Sequence, residues 1–337
     1  MSSVGWRSLL VISLYAIAAE AVVISPKFHM NDGNKIPAVA LGTWLGIDTL
    51  GNRVLPRGTE VEDAVSWAID AGYRHIDTAH IYRTEDQVGR ALKTKIAEGV
   101  RRQDLFITTK LWNDCHGRDQ VVPALRESLR QLQLTYVDLY LIHWPVGQFA
   151  NGTYDHTDYL ETWRGMMEAK RLGLTRSIGV SNFNQQQIER IFDHGLEEPA
   201  VLQVEINLNL QQPALRKFCK DFGIVVMAYS PFGSLFPDRA KPGAPEPRVT
   251  DERLSKVAHD SRVHNVPQIV LKYLYDLGVV VIPKSLKKYR IENNIDIFGL
   301  ELSDDTKKYL KYCDKNFRTL PQKKWVDHPY YPFEWSL

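Results

Sequence analysis

The sequence predicts an α/β protein in which eight parallel strands close into a (β/α)8, or TIM, barrel. Short apolar runs alternate with amphipathic stretches of helical period, mostly at intervals of roughly 30 residues. Polar residues also collect where the apolar runs end. The alternative is an open, doubly wound sheet that binds a dinucleotide. Such a sheet has a G-x-G-x-x-G turn after its first strand, and Leu41-Gly42-Thr43-Trp44-Leu45-Gly46 is not that motif.

The composition is that of an ordinary globular protein, and it excludes several classes. The 337 residues are 44% hydrophobic and 24% charged, with a formal net charge of +2. Because basic and acidic residues are interspersed, there is no electrostatic argument for a nucleic-acid partner. No stretch reaches the roughly 20 apolar residues that a membrane span requires. The cysteines have neither disulfide-framework nor metal-ligand spacing, so we expect no metal: they are Cys115, Cys219 and Cys313.

Residues 1–21 are interpreted as a secretory signal peptide, which leaves 22–337 as the folded domain. Arg7 supplies a positive charge, an apolar run follows over residues 9–19, and Ala19-Glu20-Ala21 has the small-x-small form of a cleavage site. We therefore expect a secreted, extracellular protein. The alternative is a buried helix or a leftover extension on a cytoplasmic protein. Asn151-Gly152-Thr153 is a glycosylation sequon that export would make available for modification.

The mature chain is predicted to begin with a β-hairpin. Residues 22–24 and 28–30 supply apolar runs, and Asn31-Asp32-Gly33-Asn34 supplies the turn. Eight further apolar runs are predicted to be the barrel strands: 38–41, 75–77, 105–108, 139–142, 177–180, 202–206, 224–227 and 279–282.

The stretches between these runs have the period of helices. Residues 59–71 have an acidic start and are followed by Gly72, and one face is apolar through Val61, Ala64, Val65 and Ala68. Residues 120–132 repeat this pattern. Residues 237–250 are instead rich in Pro, Gly and charged residues, which predicts a loop.

Four titratable residues follow three consecutive predicted strands: Asp77, Tyr82, Lys110 and His143. Because a buried Asp and a buried Lys are both costly unless paired, we expect an ion pair between Asp77 and Lys110. Lys110 would then lie near Tyr82 and lower the pKa of its hydroxyl from the ordinary value of about 10. A phenol tuned in this way is a useful general acid for a carbonyl oxygen, which His143 would orient by hydrogen bonding.

Each of these residues also fits a structural role when taken singly. Asp77 fits a helix N-cap, Lys110 a rim charge and His143 a core histidine. Their joint position at strand ends favours the functional interpretation. Three tryptophans follow the same ends and indicate either plain packing or an apolar substrate pocket: Trp44, Trp112 and Trp144.

The strand-end segments resemble those of the aldo-keto reductases, in the family's order and over nearly all of residues 28–337. They are Leu41-Gly42-Thr43-Trp44, Gly72-Tyr73-Arg74-His75-Ile76-Asp77-Thr78-Ala79 with Tyr82, Thr109-Lys110-Leu111-Trp112, Leu141-Ile142-His143-Trp144-Pro145, Ile178-Gly179-Val180-Ser181-Asn182-Phe183, Ala228-Tyr229-Ser230-Pro231 and Ile282-Pro283-Lys284-Ser285.

The resemblance implies a catalytic tetrad and a cofactor, NADPH/NADP+. The tetrad is Asp77, Tyr82, Lys110 and His143, with Tyr82 as the proton donor. The implied cofactor residues are Thr43 and Asp77, Ser181, Asn182 and Gln203 at the carboxamide, Tyr229 beneath the nicotinamide, Ser230, Phe232 and Ser234 along the pyrophosphate, Lys284, Ser285 and Arg290 at the 2′-phosphate, and Asn294 at the adenine. The substrate residues would be Trp44, Tyr82, Trp112, His143 and Trp144.

Two cations and a hydroxyl at the adenosine end suit a phosphate better than a bare ribose hydroxyl, which favours NADPH over NADH. The chain departs from the family at Asn293, where a Glu is usual before the Asn that contacts adenine. The departure bears on cofactor affinity or release rather than on cofactor type.

Within that family the chain resembles the insect ecdysteroid-type members, the 3-dehydroecdysone 3β-reductases. The supporting segments include Leu111-Trp112-Asn113-Asp114 and Arg290-Ile291-Glu292, together with the export signal. This likeness implies a small-molecule carbonyl substrate that is an ecdysteroid, a haemolymph location and a monomer. A segment around Trp325 and Trp335 is expected as a C-terminal substrate loop. The alternatives are a broad-specificity aldehyde or xenobiotic carbonyl reductase and a non-catalytic NADPH-binding barrel.

Overall fold

A computed structural model describes residues 25–260 and 265–333, and these residues form the predicted (β/α)8 barrel. In chain order the strands are β1 (Lys27–His29), β2 (Lys35–Pro37), β3 (Leu41–Gly42), β4 (His75–Asp77), β5 (Phe106–Leu111), β6 (Val137–Ile142), β7 (Gly147–Gln148), β8 (Tyr154–Asp155), β9 (Thr175–Ser181), β10 (Val201–Glu205), β11 (Val225–Tyr229) and β12 (Val280–Val281). All eight predicted barrel strands are confirmed, within a few residues at each end.

The barrel sheet runs in the order β3-β4-β5-β6-β9-β10-β11-β12, and every neighbouring pair is parallel. It closes where the chain around β3 meets β12. The Ala40 N–H donates to the Val281 carbonyl at 2.9 Å, and the Gly42 N–H donates to the Pro283 carbonyl at 3.0 Å. Closure brings the carboxyl ends of all eight strands to one rim, as the sequence predicted.

Helices connect the barrel strands and cover the outside of the sheet. They are α1 (Glu60–Asp70), α2 (Glu85–Ala97), α3 (Arg118–Leu132), α4 (Tyr159–Arg171), α5 (Gln185–Asp193), α6 (Pro213–Asp221), α7 (Glu252–Asp260), α8 (Val266–Asp276), α9 (Lys288–Ile295) and α10 (Asp304–Tyr312). The predicted face of α1 is buried, and α3 begins two residues before its predicted start. No helix in the two described ranges is long and apolar enough to cross a membrane.

The β1–β2 hairpin closes the amino-terminal end of the barrel. Its turn lies where the sequence predicted, but the strand that pairs with β1 follows the turn, with Phe28 opposite Ile36. Met30 and Ile36 pack in the same cluster as the inward residues of the strands. Residues 22–24, like the proposed signal peptide, lie outside the described residues.

Alternation along each strand decides what points into the barrel. On β5, Phe106 packs in the interior cluster and Ile107 packs toward the helices. Counting by twos from Phe106 places Lys110 inside, at the carboxyl end of its strand. The same count from Val201 on β10 places Gln203 and Glu205 inside. The interior is therefore apolar toward the amino-terminal ends of the strands and polar toward their carboxyl ends.

Residues 237–250 contain no helix beyond the short 3₁₀ turn at Pro237–Arg239, which confirms the predicted loop. A second, antiparallel hairpin was not predicted: β7 and β8 pair outside the barrel. Their strands are only two residues long and leave no periodic signal. Asn151 is exposed in the turn between them, where its side-chain oxygen accepts the Thr153 hydroxyl hydrogen at 2.7 Å.

Buried histidines make the fold sensitive to acid. Burial lowers the pKa of His75 to about 3 and that of His116 to about 4. A histidine with a lowered pKa is protonated more readily in the unfolded chain, so the stability it contributes is present above about pH 6.5 and is lost as the pH falls toward the folded value. We expect each of these two residues to cost about 2 kcal/mol of unfolding free energy between about pH 7.5 and about pH 5.

Chemical denaturation at a series of pH values measures this loss. His116 lies in a short connection and its ring nitrogens have no hydrogen-bond partner, so His116→Gln is the matched control. The variant should show a shallower pH dependence than the wild type. An identical slope in the two proteins would contradict the assignment.

Candidate active site

Asp77 and Lys110 form a buried ion pair at the carboxyl ends of β4 and β5. The Lys110 ammonium lies 2.6 Å from Asp77 Oδ1 and also donates to the Thr78 carbonyl at 2.9 Å. Gln203 Nε2 donates to the other carboxylate oxygen, Asp77 Oδ2, at 2.8 Å. Burial lowers the pKa of Lys110, and the Asp77 carboxylate opposes that shift. The expected pair is present, and a third side chain holds it in place.

Tyr82 stands beside this pair. It lies on a short 3₁₀ helix, His80–Tyr82, that follows β4 directly. The Lys110 ammonium is 5.1 Å from the centroid of its ring. The rings of Trp44 and His143 lie 5.0 and 5.6 Å away, centroid to centroid. The four residues predicted from the sequence are therefore brought together at one end of the barrel.

The prediction that Lys110 lowers the pKa of Tyr82 is wrong. Burial raises that pKa well above 10, and the nearby Asp77 carboxylate and Tyr229 raise it further. Lys110 does not offset these effects, because its ammonium donates to Asp77 and to the Thr78 carbonyl. Part of the Tyr82 side chain still reaches solvent. Tyr82 consequently keeps its proton at neutral pH, which is the state that a proton donor needs.

His143 follows β6 and is neutral in this setting. Burial lowers its pKa well below the ordinary value, and the Lys110 charge lowers it further. Its Nδ1 is buried without a hydrogen-bond partner. Trp112 lies edge-on to the ring at 5.2 Å between centroids. A neutral imidazole carries one N–H donor, so His143 is able to orient a carbonyl oxygen without adding a charge.

Asn182 organises the next sector of the rim. It adopts a left-handed backbone (φ 62°), which asparagine tolerates better than most residues. Its Nδ2 donates to the His143 carbonyl at 2.9 Å and to the Ser181 hydroxyl at 3.1 Å. Its Oδ1 accepts the Tyr229 hydroxyl at 2.7 Å. These bonds fix the Tyr229 ring, and part of the ring remains exposed to solvent. Tyr229 therefore offers a flat face on which a planar ring can stack.

The loop after β11 makes a tight turn beside that face. The Gly233 N–H donates to the Ser230 carbonyl at 2.9 Å. Ser230 and Gly233 both have left-handed backbones, and a Cβ on Gly233 would lie 2.6 Å from the Asn207 side chain. Only glycine fits this approach. Phe232 packs edge-on against Phe236, while Ser234 is buried and its hydroxyl accepts the Lys241 N–H at 3.2 Å.

Beyond this loop lies a cation without an anionic partner. Lys284 follows β12 and is half-buried, and no acidic side chain in the described ranges forms an ion pair with it. Burial lowers its pKa, and the charge of Arg239 lowers it further. Ser285 is buried nearby, and Arg290 is exposed in the first turn of α9. An incompletely solvated ammonium of this kind fits a phosphate group. Asn294 is buried on the same helix, and the neighbouring Asn293 is half-buried.

The three tryptophans do not share one position. Trp44 and Trp112 flank Tyr82 and His143. Trp144 is buried behind these two tryptophans, with 5% of its surface exposed. It packs against Trp325, at 5.1 Å between ring centroids. The C-terminal segment, which we define as residues 314–333, thus supplies Trp325, whose ring is also 6.2 Å from Trp112. Trp335 lies outside the described residues.

Three polar groups have roles that the sequence analysis did not assign. The Thr78 carbonyl accepts the Lys110 ammonium, a contact that no pattern of side chains reveals. The Thr43 hydroxyl donates to the Asp77 carbonyl at 3.1 Å and so ties β3 to β4. Glu205 binds the C-terminal segment. A carboxylate two residues after Gln203, on the inward face of a buried strand, was the available signal for that role.

Residues 38–315 match the sequence pattern of the Aldo/keto reductase family. The chain is 49% identical to the aldo-keto reductase AKR2E4 of Bombyx mori, over 92% of this chain and 99% of that protein. It is 38% identical to aldo-keto reductase family 1 member A1 of Homo sapiens, over 90% and 97%.

Two silkworm structures superpose closely on the chain. That of AKR2E4 in complex with NADP has a TM-score of 0.86 at 48% identity and covers 92% of this chain and all (100%) of its own. That of AKR2E5 with NADPH has a TM-score of 0.89 at 43% identity, over 93% and 94%.

Proposed function

Since this chain belongs to the aldo/keto reductase family, we propose that it uses NADPH to reduce the 3-oxo group of an ecdysteroid, 3-dehydroecdysone, to the 3β-alcohol. At the coarser level, it is an NADP-dependent oxidoreductase that acts on carbonyl groups. The observation that carries the proposal is the Tyr82 phenol packed between the buried Asp77–Lys110 ion pair and His143 at the mouth of the barrel.

Tyr82 and His143 both act on the carbonyl oxygen, and each has a different role. Bound NADPH supplies the hydride that the carbonyl carbon receives. The Tyr82 hydroxyl donates its proton to the oxygen, and the His143 ring holds that oxygen by a hydrogen bond. As the phenol loses its proton, negative charge develops on its oxygen. The Lys110 ammonium stabilises that charge, and Asp77 keeps the ammonium in place.

The cofactor fits the residues of the rim. The open face of Tyr229 suits the nicotinamide ring, and Ser181, Asn182 and Gln203 offer polar groups to its carboxamide. Lys284 and Arg290 would hold the 2′-phosphate that distinguishes NADPH from NADH. The silkworm relatives AKR2E4 and AKR2E5, solved with NADP and NADPH, support this assignment.

An apolar wall supports a bulky, flat substrate. Trp44 and Trp112 stand on either side of the reacting groups, and Trp325 extends the wall from Trp112. Aromatic surfaces of this extent suit the ring system of a steroid. A small aldehyde reaches Tyr82 and His143 without using them, so the wall would be superfluous in a general aldehyde reductase.

Comparing kcat/KM for 3-dehydroecdysone with that for propanal, by NADPH oxidation, tests the proposal. We expect the ecdysteroid to be preferred by about a hundredfold, since burying several extra ring carbons contributes at least ~3 kcal/mol. A preference for propanal would favour the broad-specificity carbonyl reductase. NADPH binding without oxidation of NADPH by any carbonyl compound would indicate a non-catalytic barrel.

We also propose that the protein is secreted into the haemolymph and acts as a monomer. The charge, apolar run and cleavage motif within residues 1–21 support export, and Asn151 is exposed where a glycan can be attached. Sequencing the amino terminus of the protein from its natural source tests export. A mature chain that starts at Met1 or Ser2 would favour the cytoplasmic alternative.

A further inference from the structure

Glu205 is a fully buried carboxylate whose partners are all hydrogen-bond donors. It is the last residue of β10. Its Oε1 accepts the Thr319 N–H at 2.7 Å and the Thr319 hydroxyl at 2.6 Å, and its Oε2 accepts the Leu320 N–H at 3.0 Å. Asn207 Nδ2 also donates to Oε1, at 3.1 Å. Within residues 25–260 and 265–333 no basic side chain forms an ion pair with it, so neutral donors alone compensate its burial.

These bonds fasten the C-terminal segment to the barrel mouth itself. Glu205 is the register partner of Tyr229 in the sheet, so its carboxylate stands beside the residue assigned to the nicotinamide. The remainder of the segment is attached elsewhere. The Tyr330 carbonyl accepts from Gln187 on α5 at 2.9 Å, and His328 Nε2 lies 3.1 Å from the Asp155 carbonyl on β8.

Trp325 lies between the two attachments. It is five residues beyond Leu320, and its ring packs against Trp112, which in turn packs against His143. The Glu205 carboxylate is therefore connected to the wall of the substrate cleft through the chain from Leu320 to Trp325 and the ring contact of Trp325 with Trp112. Trp325 Nε1 also donates to Gln148 Oε1 at 3.3 Å, and the Tyr154 hydroxyl donates to the Lys324 carbonyl at 3.0 Å. Releasing the near attachment would therefore loosen the chain that leads into Trp325 while these other bonds remain.

We propose that Glu205 is a positioning residue that determines specificity: by holding Thr319 and Leu320 it acts together with Gln148 and Tyr154 to place Trp325 against Trp112, and so shapes the cleft for bulky carbonyl compounds. The inference rests on the proposed function. A substrate large enough to touch Trp325 depends on this attachment. A small aldehyde, which reaches Tyr82 without touching Trp325, does not.

Glu205→Gln is the direct test, because it keeps the shape and replaces one acceptor oxygen with an NH₂ group. Every neighbour of the carboxylate is a donor, so either orientation of the amide places two donors face to face. We expect kcat/KM for 3-dehydroecdysone to fall about tenfold, mainly through KM, while that for propanal stays within about twofold. Trypsin should also cleave faster after the exposed Lys323 and Lys324.

Thr319 provides a matched pair of variants that leaves Glu205 intact. Thr319→Val removes the hydroxyl donor and should change the substrate ratio and the trypsin rate in the same direction as Glu205→Gln. Thr319→Ser keeps the hydroxyl and should behave like the wild type. If Glu205→Gln fails to fold, this pair still decides the matter.

Two results would overturn the inference. One is an unchanged substrate ratio and trypsin rate in both Glu205→Gln and Thr319→Val. The other is an equal loss with the two substrates, which would indicate a purely structural role. If the wild type oxidises NADPH with neither substrate, the proposed function fails, and the trypsin rates still show whether Glu205 holds the segment.

Discussion

Replacing Tyr82 with phenylalanine should lower kcat for carbonyl reduction by about 10²- to 10⁴-fold, the usual contribution of a positioned general acid. The substitution removes one oxygen and keeps the ring that packs against Trp44 and His143. The cleft should therefore keep its shape. Single-turnover oxidation of NADPH with 3-dehydroecdysone and with propanal measures the effect.

Cofactor binding is the internal control for this variant. None of the hydrogen bonds described for the residues assigned to the cofactor involves the Tyr82 hydroxyl. NADPH titration should give a dissociation constant within about twofold of the wild type. A Tyr82→Phe enzyme that turns over normally would require a different proton donor.

Replacing Lys110 with methionine should cost both activity and stability. The change leaves the Asp77 carboxylate buried with only Gln203 as a donor to its side chain among the described residues. Removing one partner of a buried pair typically destabilises a protein by about 3–5 kcal/mol. Turnover should fall as well, because no cation remains to stabilise charge that develops on Tyr82.

The double variant Asp77→Asn with Lys110→Met separates the two effects. It removes both charges, so the free energy of unfolding should recover most of the loss, as for other buried pairs replaced by neutral groups. Turnover should not recover. Chemical denaturation and NADPH oxidation, measured on the single and double variants, test this. A single variant as stable as the wild type would show that the pair is not needed to compensate burial.

The barrel was predictable because its signals are local and repeated. Strands such as β6 and β11 show a buried apolar run within six residues, and the helix that follows each of them shows the helical period of apolar residues. The short strands β7 and β8 have no such signal, and they were missed. The hairpin turn at residues 31–34 was predictable from its residue types. The strand that pairs with β1 was not, because it follows the turn at Lys35–Pro37 and the predicted apolar runs both precede the turn.

The residues that form the site were predictable from the sequence, but their pKa values were less so. Asp77, Lys110 and His143 are neighbours because strand ends meet at one rim, a consequence of topology alone. The direction of the Tyr82 pKa shift was not accessible in this way. It depends on how deeply the phenol is buried, on the Asp77 carboxylate, and on Tyr229, which is far away in the sequence. Trp144 follows the same rule as Trp44, yet it packs behind the cleft rather than in it.

The sequence by itself determined the fold and the four residues gathered at the barrel mouth, because each follows from periodicity or from the order of strand ends, while the cations that favour NADPH were implied by the family resemblance. Only the tertiary structure decided that Tyr82 keeps its proton and that Glu205 binds Thr319, 114 positions along the chain. Burial and the sum of nearby charges are properties of packed atoms. They exist only once segments distant in sequence occupy the same small volume.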